Sequence, residues 1–148
     1  IDRSNSMKYT HKGRTLLDIA KEAASTVINT LNPNDKVGVV AFSDSATSAT
    51  GSANAITCLP AELALATPHN KAYLSAWVSS LRANAGTNYG KAFALAFDHF
   101  NITGSSSELL ILQHDDIIFP FRGGYMFDLT ILFIFRQGHP LFNGWSAN

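Results

Sequence analysis

The sequence predicts an α/β domain with a doubly wound, mostly parallel sheet and helices on both faces. Short apolar runs that suit strands buried on both faces alternate with segments of helical periodicity. The 148 residues are about the size of one domain, and the hydrophobic fraction of 46% is enough to build a core. Eleven basic residues balance eleven acidic ones, so no charge excess directs the chain to nucleic acid or acidic lipid.

Three segments are predicted to be helices. Apolar residues recur at three- and four-residue spacing over residues 14–31, and Pro33 ends that pattern. Pro68 opens a second helix over residues 68–82, and a stripe of phenylalanines and alanines marks a third over residues 89–100. Such helices, separated by apolar runs, fit the crossovers of a parallel sheet.

Buried strands are predicted for three short apolar runs, over residues 36–42, 109–112 and 129–135. Residues 43–54 are predicted to be a surface loop, and residues 55–65 a short edge strand interrupted at Pro60. Residues 117–127 show no clear period. No run of about 18 apolar residues occurs, so this segment is not predicted to contact a membrane.

Polar residues are found where the predicted strands end, and ligands of open α/β sheets bind beyond the carboxyl ends of strands. Asp2, Ser4 and Ser6 lie in the loop expected after a strand that ends near the first residue. Thr87 precedes the third helix, and Asp115 follows a predicted strand. Hard oxygen donors of this kind suit a divalent cation such as Mg²⁺, Ca²⁺ or Mn²⁺. Five oxygen donors leave a coordination position of the cation to water, so we expect it to take an acidic side chain from a partner protein.

Two other functions compete with this prediction. An Asp-x-Ser-x-Ser run alone is weak evidence, because such polar runs are often turns or helix caps. A metal-free structural domain is therefore the main alternative. A metal-dependent hydrolase ranks third, because no convincing base accompanies the predicted cation site. The chain lacks a phosphate-binding glycine loop and a Gly-x-Ser-x-Gly elbow, so it is not predicted to be an enzyme.

The order of these motifs resembles the von Willebrand factor A domain, on the Asp-x-Ser-x-Ser run, the helix after it and residues 35–42. That family has a Rossmann-like fold and a metal-ion-dependent adhesion site. The site uses Asp-x-Ser-x-Ser, a threonine on a second loop and an aspartate after a central strand. The resemblance assigns it here to five residues, namely Asp2, Ser4, Ser6, Thr87 and Asp115. It implies a protein-binding domain whose cation receives an acidic residue of the ligand.

One departure affects the last of these residues. The family usually has Thr-Asp-Gly where this chain has His114, Asp115 and Asp116. Loss of that glycine leaves Asp116 as the alternative ligand to Asp115.

Four further segments resemble the A domain of voltage-gated calcium channel alpha-2/delta subunits, and equally that of proteins that pair an A domain with a Cache domain. They are residues 58–59, 66–71, 83–89 and 92–97. This resemblance implies an extracellular or cell-surface location within a larger membrane-associated protein, and a channel subunit as a candidate partner. Asn101 begins an N-glycosylation sequon, which agrees with that location.

The domain is expected to be incomplete at both ends. Residues 1–138 form the predicted partial domain, and residues 139–148 a tail without assignment. The single cysteine, Cys58, has no partner within the chain, so it is expected either to pair with a segment outside it or to be a buried apolar side chain.

Overall fold

A computed structural model describes residues 1–49, 63–103, 107–112, 118–121, 124–127 and 132–137, with side chains over residues 1–49 and 63–99. The helices in these ranges are α1 (Leu16–Thr30), α2 (Pro68–Ser80), α3 (Tyr89–Thr103) and a 3₁₀ turn (Asn5–Lys8). The strands there are β1 (Thr10–His11), β2 (Arg14–Thr15), β3 (Lys36–Val37), β4 (Val40–Phe42), β5 (Ala46–Ser48), β6 (Ala64–Leu65), β7 (Ser107–Leu112), β8 (Ile118–Phe121), β9 (Gly124–Phe127) and β10 (Leu132–Gln137). None of the described helices has the length and apolar character needed to cross a membrane.

The first residues of the chain run parallel to β4. Asp2 forms a parallel bridge with Phe42. The Phe42 N–H donates to the Ile1 carbonyl at 3.0 Å, and the Arg3 N–H donates to the Phe42 carbonyl at 2.8 Å. Ile1 and Phe42 are both buried, so this pairing lies in the core. It delivers the predicted metal-binding loop to the carboxyl end of β4.

Helices cover both faces of the segment that contains β4. Val39 and Ala41 belong to the same buried cluster as α1 and α2. Val40, between them in sequence, packs instead with Ala96 of α3 and with Leu63. Successive side chains of a strand point to opposite faces, so α3 lies across the strand from α1 and α2. This arrangement agrees with the predicted fold class.

The remaining described ladders are antiparallel pairs of short strands. β1 and β2 form a hairpin whose turn residues, Lys12 and Gly13, have φ values of 49° and 81°. Two positive φ values are typical of the type I′ turn that suits a two-residue hairpin. The other pairs are β3 with β6, β4 with β5, β7 with β10, and β8 with β9.

Helix α1 begins at a threonine cap. The Thr15 hydroxyl accepts from the Asp18 N–H at 3.0 Å and donates to the Asp18 carboxylate at 2.6 Å. Hydrogen bonding to the ionised form is the main cause that lowers the pKa of Asp18 below its ordinary value of 3.8. The helix starts two residues later than predicted, because residues 14 and 15 pair in β2.

Helices α1 and α2 stabilise each other's carboxyl ends with lysines. Lys21 of α1 donates to two carbonyls at the end of α2, those of Ser79 at 3.1 Å and Leu81 at 2.6 Å. Lys71 of α2 donates to the Asn29 carbonyl of α1 at 3.1 Å. Cations near a helix carboxyl end satisfy its free carbonyls and its negative dipole end. The two helices are thereby held antiparallel.

Three segments differ from the sequence-based expectation. Residues 43–54 were expected to be a loop, yet residues 46–48 form β5 on β4. The expected strand over residues 36–42 is divided into β3 and β4. Residues 117–127, which show no period, contain the β8–β9 hairpin. Strands this short are fixed by their ladder partners, which local periodicity does not reveal.

Other boundaries moved by a few residues. Helix α3 continues to Thr103, and β7 begins at Ser107, before the predicted strand start. Part of the expected edge strand appears as β6, whereas Pro60 and Cys58 lie outside the described residues.

Candidate functional site

The Asp-x-Ser-x-Ser loop holds its oxygen atoms close together. Asp2 and Ser4 are both only 2% exposed. The Ser4 N–H donates to Oδ1 of Asp2 at 2.7 Å, and the hydroxyl oxygens of Ser4 and Ser6 lie 2.9 Å apart. One carboxylate and two hydroxyls are therefore ordered within a single turn. The structure brings these three predicted residues together.

A second loop, residues 81–88, lies directly beside the first. The Asn84 N–H donates to the Arg3 carbonyl at 2.8 Å, and the Asn5 N–H donates to the Ala85 carbonyl at 3.0 Å. Ala85 has a φ of 58°, a left-handed conformation that few residues other than glycine adopt readily. These bonds align the segment that carries Thr87 with the Asp-x-Ser-x-Ser loop.

The turn after β4 fixes both neighbours of Thr87. Oδ1 of Asp44 accepts from the Gly86 N–H at 2.9 Å. The Ser43 carbonyl accepts from the Asn88 N–H at 2.8 Å. Thr87 itself is exposed. Its role as a metal ligand stays a prediction.

Asn88 also anchors the start of α3. Its Oδ1 accepts from the Lys91 N–H at 3.0 Å, which caps the first turn. The Tyr89 ring packs on the Phe42 ring with centroids 5.3 Å apart. The threonine loop is therefore attached to β4 by backbone, side-chain and ring contacts.

Glycine at position 86 avoids a close contact. A Cβ added at this position would overlap Oδ1 of Asp44. Its backbone is not left-handed, so the requirement comes from the space that the Asp44 carboxylate occupies. The glycine thus permits the hydrogen bond that joins residues 81–88 to the turn after β4.

Asp44 is a site residue that the sequence reasoning missed. It follows β4 immediately, in a Ser-Asp-Ser turn. The rule that ligands gather beyond strand carboxyl ends, applied to residues 36–42 as well, would have found it. Asp44 adds a second described carboxylate to this edge of the domain.

The other predicted residues lie beyond what is described. Asp115 and Asp116 are outside the described residues, and Asn101 falls in α3 with a side chain that is outside them. Within the described part of the chain, no three side chains of His, Cys, Asp or Glu form a cluster. A cation here would depend on hydroxyls, on Asp2 and on a further aspartate.

The described donors suit a hard cation. Two ligands on adjacent corners of an Mg²⁺ octahedron with bonds of about 2.1 Å lie roughly 3.0 Å apart. The Ser4 and Ser6 hydroxyl oxygens, at 2.9 Å, already have that separation. Both serines could therefore bind Mg²⁺ or Mn²⁺ without a change in their spacing.

Comparison with known proteins supports one family. Among solved structures, a von Willebrand factor type A protein from Catenulispora acidiphila is 31% identical, with a TM-score of 0.53. The similarity covers 66% of this chain and 21% of that one, so this chain spans about a fifth of that protein's length. No curated protein matches the sequence. Residues 1–112 match the family described as the von Willebrand factor type A domain. The chain therefore belongs to the von Willebrand factor type A domain family.

Proposed function

We propose that this domain binds a divalent cation at the edge where the Asp-x-Ser-x-Ser loop meets residues 81–88. The cation then captures an acidic side chain of a partner protein. Membership of the von Willebrand factor type A family supports a protein-interaction module. The proposed ligands are Asp2, Ser4, Ser6, Thr87 and either Asp115 or Asp116. Mg²⁺ and Mn²⁺ agree best with the spacing of the two serines.

The observation that carries this proposal is the pair of serine hydroxyls beside a buried carboxylate. A carboxylate that is 2% exposed is costly to bury unless hydrogen bonds or a cation compensate its charge. The Ser4 N–H hydrogen-bonds to Asp2, and the Ile1 ammonium attracts it. A bound cation would add to this compensation and act as a Lewis acid toward an anionic oxygen.

Hydrogen bonds hold the loops of this site in place. The Arg3 carbonyl accepts from the Asn84 N–H, and the N–H groups of Asn5 and Gly86 donate to Ala85 and Asp44. These bonds link three loops before any ligand arrives. Preorganised donors lose little entropy on binding, so more of the interaction energy appears as affinity. Two carboxylates formally balance the charge of a divalent cation, but five protein ligands leave one octahedral position open, and that position favours an anionic oxygen of a partner.

Titration of Mn²⁺ or Mg²⁺ by calorimetry tests the site. Ser4→Ala is expected to weaken metal affinity by about tenfold to a hundredfold, because loss of a metal-site group commonly has effects of that size. Ser45→Ala, at an exposed serine in the turn after β4, is the matched control and is expected to bind as the wild-type chain does. Equal affinities for all three proteins would contradict the proposal.

The alternative is a structural domain that keeps the fold without a metal. This alternative is supported by the hydrogen bond between the Ser4 and Ser6 hydroxyls and by the backbone N–H that Asp2 accepts. Partner binding that is unchanged in excess chelator would favour this alternative over a cation site.

The proposal extends to an extracellular part of a larger membrane-associated protein, such as a calcium channel auxiliary subunit. Asn101 offers the readout, because N-glycosylation occurs on the secretory route. When the chain is expressed in its full-length protein in animal cells, endoglycosidase is expected to lower the mass, and Asn101→Gln to remove that part of the shift. Identical glycan content in wild type and Asn101→Gln would remove this support.

A further inference from the structure

A groove adjoins the predicted metal-binding loops. It has a volume of about 290 Å³ and lies between the 3₁₀ turn, the start of α1 and the segment after α2. Its floor is apolar and is formed by Met7, Leu17, Leu81 and Ala83. Met7 directly follows Ser6, so the groove begins one residue from the serine hydroxyls.

The rim of the groove is mainly cationic. Lys8, Lys21 and Arg82 line it, and Asp18 is the acidic residue among the lining side chains. Lys21 donates hydrogen bonds to carbonyls at the end of α2. Burial and the nearby Arg82 lower the pKa of Lys21. Arg82 and Lys8 are exposed, and each donates one hydrogen bond to an uncharged group, Lys8 to Oδ1 of Asn5 and Arg82 to the Leu81 carbonyl. These two cations are therefore placed to meet an anionic partner.

The sequence around the predicted metal-binding loop also carries positive charge. Residues 2–18 contain four lysines and arginines and two aspartates, and one of the four basic residues, Arg14, is paired with Glu22. The complete chain has a formal net charge of zero, so this segment is a local excess of positive charge. Complementary charge at the rim of an interface favours particular partners and speeds their association.

We propose that this groove is a second contact for the partner segment whose carboxylate reaches the cation, and that it accepts an apolar side chain of an acidic peptide. The proposal rests on the function proposed above. The groove is at the lower end of ligand-pocket volumes, so it fits a side chain better than a larger ligand. Extended chains advance about 3.3–3.6 Å per residue, so the apolar residue should lie within about three positions of the carboxylate.

A displayed peptide library with one fixed aspartate and three random residues on each side tests this inference. The 148-residue chain serves as bait in millimolar MgCl₂, and bound peptides are released with chelator. We expect the released peptides to be enriched in leucine, isoleucine or methionine, and in aspartate or glutamate, at the random positions.

Charge reversal at the rim should change that preference. For one selected acidic peptide, Arg82→Glu is expected to weaken binding about three- to tenfold, and in the library it should shift enrichment toward lysine and arginine. Lys36→Glu is the matched control, because Lys36 begins β3 and the metal loops lie beyond the opposite strand ends. It should leave the preference unchanged.

Filling the groove gives an independent test. Ala83→Leu is expected to remove the apolar enrichment while Mg²⁺-dependent recovery of aspartate peptides persists. Calorimetric Mg²⁺ affinity and circular dichroism establish that each variant is folded. Two results would overturn the groove inference alone. The first is that peptides released by chelator show no acidic or apolar enrichment, and the second is that Arg82→Glu and Ala83→Leu leave the preference unaltered. A complete lack of Mg²⁺-dependent peptides would overturn the metal function and the groove inference together.

Discussion

In excess chelator, Asp2→Asn is expected to be at least as stable as the wild-type chain. In Mg²⁺ at a concentration near 100 times Kd, the variant should be less stable than the wild-type chain by about 2–3 kcal/mol. The sign of the stability difference therefore depends on the metal. A residue that serves packing alone would give the same difference in both conditions.

The reasons lie in the surroundings of Asp2. Its Oδ1 accepts the Ser4 N–H, and asparagine keeps an oxygen that can accept the same bond. Asparagine also removes a charge from a position that is 2% exposed, so the metal-free domain loses a desolvation penalty, which offsets the lost attraction to the buried Ile1 ammonium. With the carboxylate gone, the cation loses an anionic group, and the stabilisation that metal binding provides is lost.

Thermal unfolding with and without Mg²⁺ measures this effect. Wild-type Tm should rise by roughly 5–10 °C in Mg²⁺ by the same linkage, whereas Asp2→Asn should show little rise. Asp98→Asn, an exposed aspartate of α3, is the control and should keep the wild-type response. A Tm deficit of Asp2→Asn that is identical in Mg²⁺ and in chelator would argue against a metal role for Asp2.

The second large effect is expected at Gly86. Gly86→Ala should destabilise the domain by about 0.5–1.5 kcal/mol, the net contribution of one hydrogen bond, because the exposed Asp44 side chain must move away from the new Cβ and loses its bond to the Gly86 N–H. Because this bond positions the segment with Thr87, the same variant should also weaken Mg²⁺ binding.

A double-mutant cycle isolates the cause. Asp44→Ala removes the atom that the new Cβ would overlap, so Gly86→Ala should have little further effect on stability in the Asp44→Ala background. Gly90→Ala is the control, because a Cβ there meets Oδ1 of Asn88 at an ordinary 3.4 Å. Gly90 lies in the first turn of α3, so alanine should be neutral or stabilising there. Additive losses for Gly86→Ala and Asp44→Ala in urea unfolding would show that the overlap is not the cause.

Much of the fold could be predicted because its signals are local. Thr15 and Thr67 cap α1 and α2 from adjacent positions in sequence, and Pro68 occupies the first turn of α2. Apolar spacing marks the face that α1 buries. The Asp-x-Ser-x-Ser run likewise lies within a single turn, so Asp2, Ser4 and Ser6 could be grouped from the sequence.

Short strands and loop contacts could not be predicted in this way. The partner of β5 is β4, and the partner of β7 is β10, which lies about 20 residues further along the chain. Asp44 and Gly86 are separated by 42 positions and carry no pattern that pairs them. Lys21 and Lys71 appear in sequence as solvated helix positions, yet each binds carbonyls of the other helix.

The sequence by itself determined the family motif, the three helices and the first three candidate ligands, because each depends on residues within a few positions of one another. Only the tertiary structure decided that the Thr87 loop lies against the first loop, that Asp44 binds the Thr87 loop from the turn after β4, and that an apolar groove with cationic residues adjoins the first loop and the Thr87 loop. Those features depend on the parallel pairing of Asp2 with Phe42. Contacts between distant segments of the chain are set by how the core packs, and local sequence does not encode that packing.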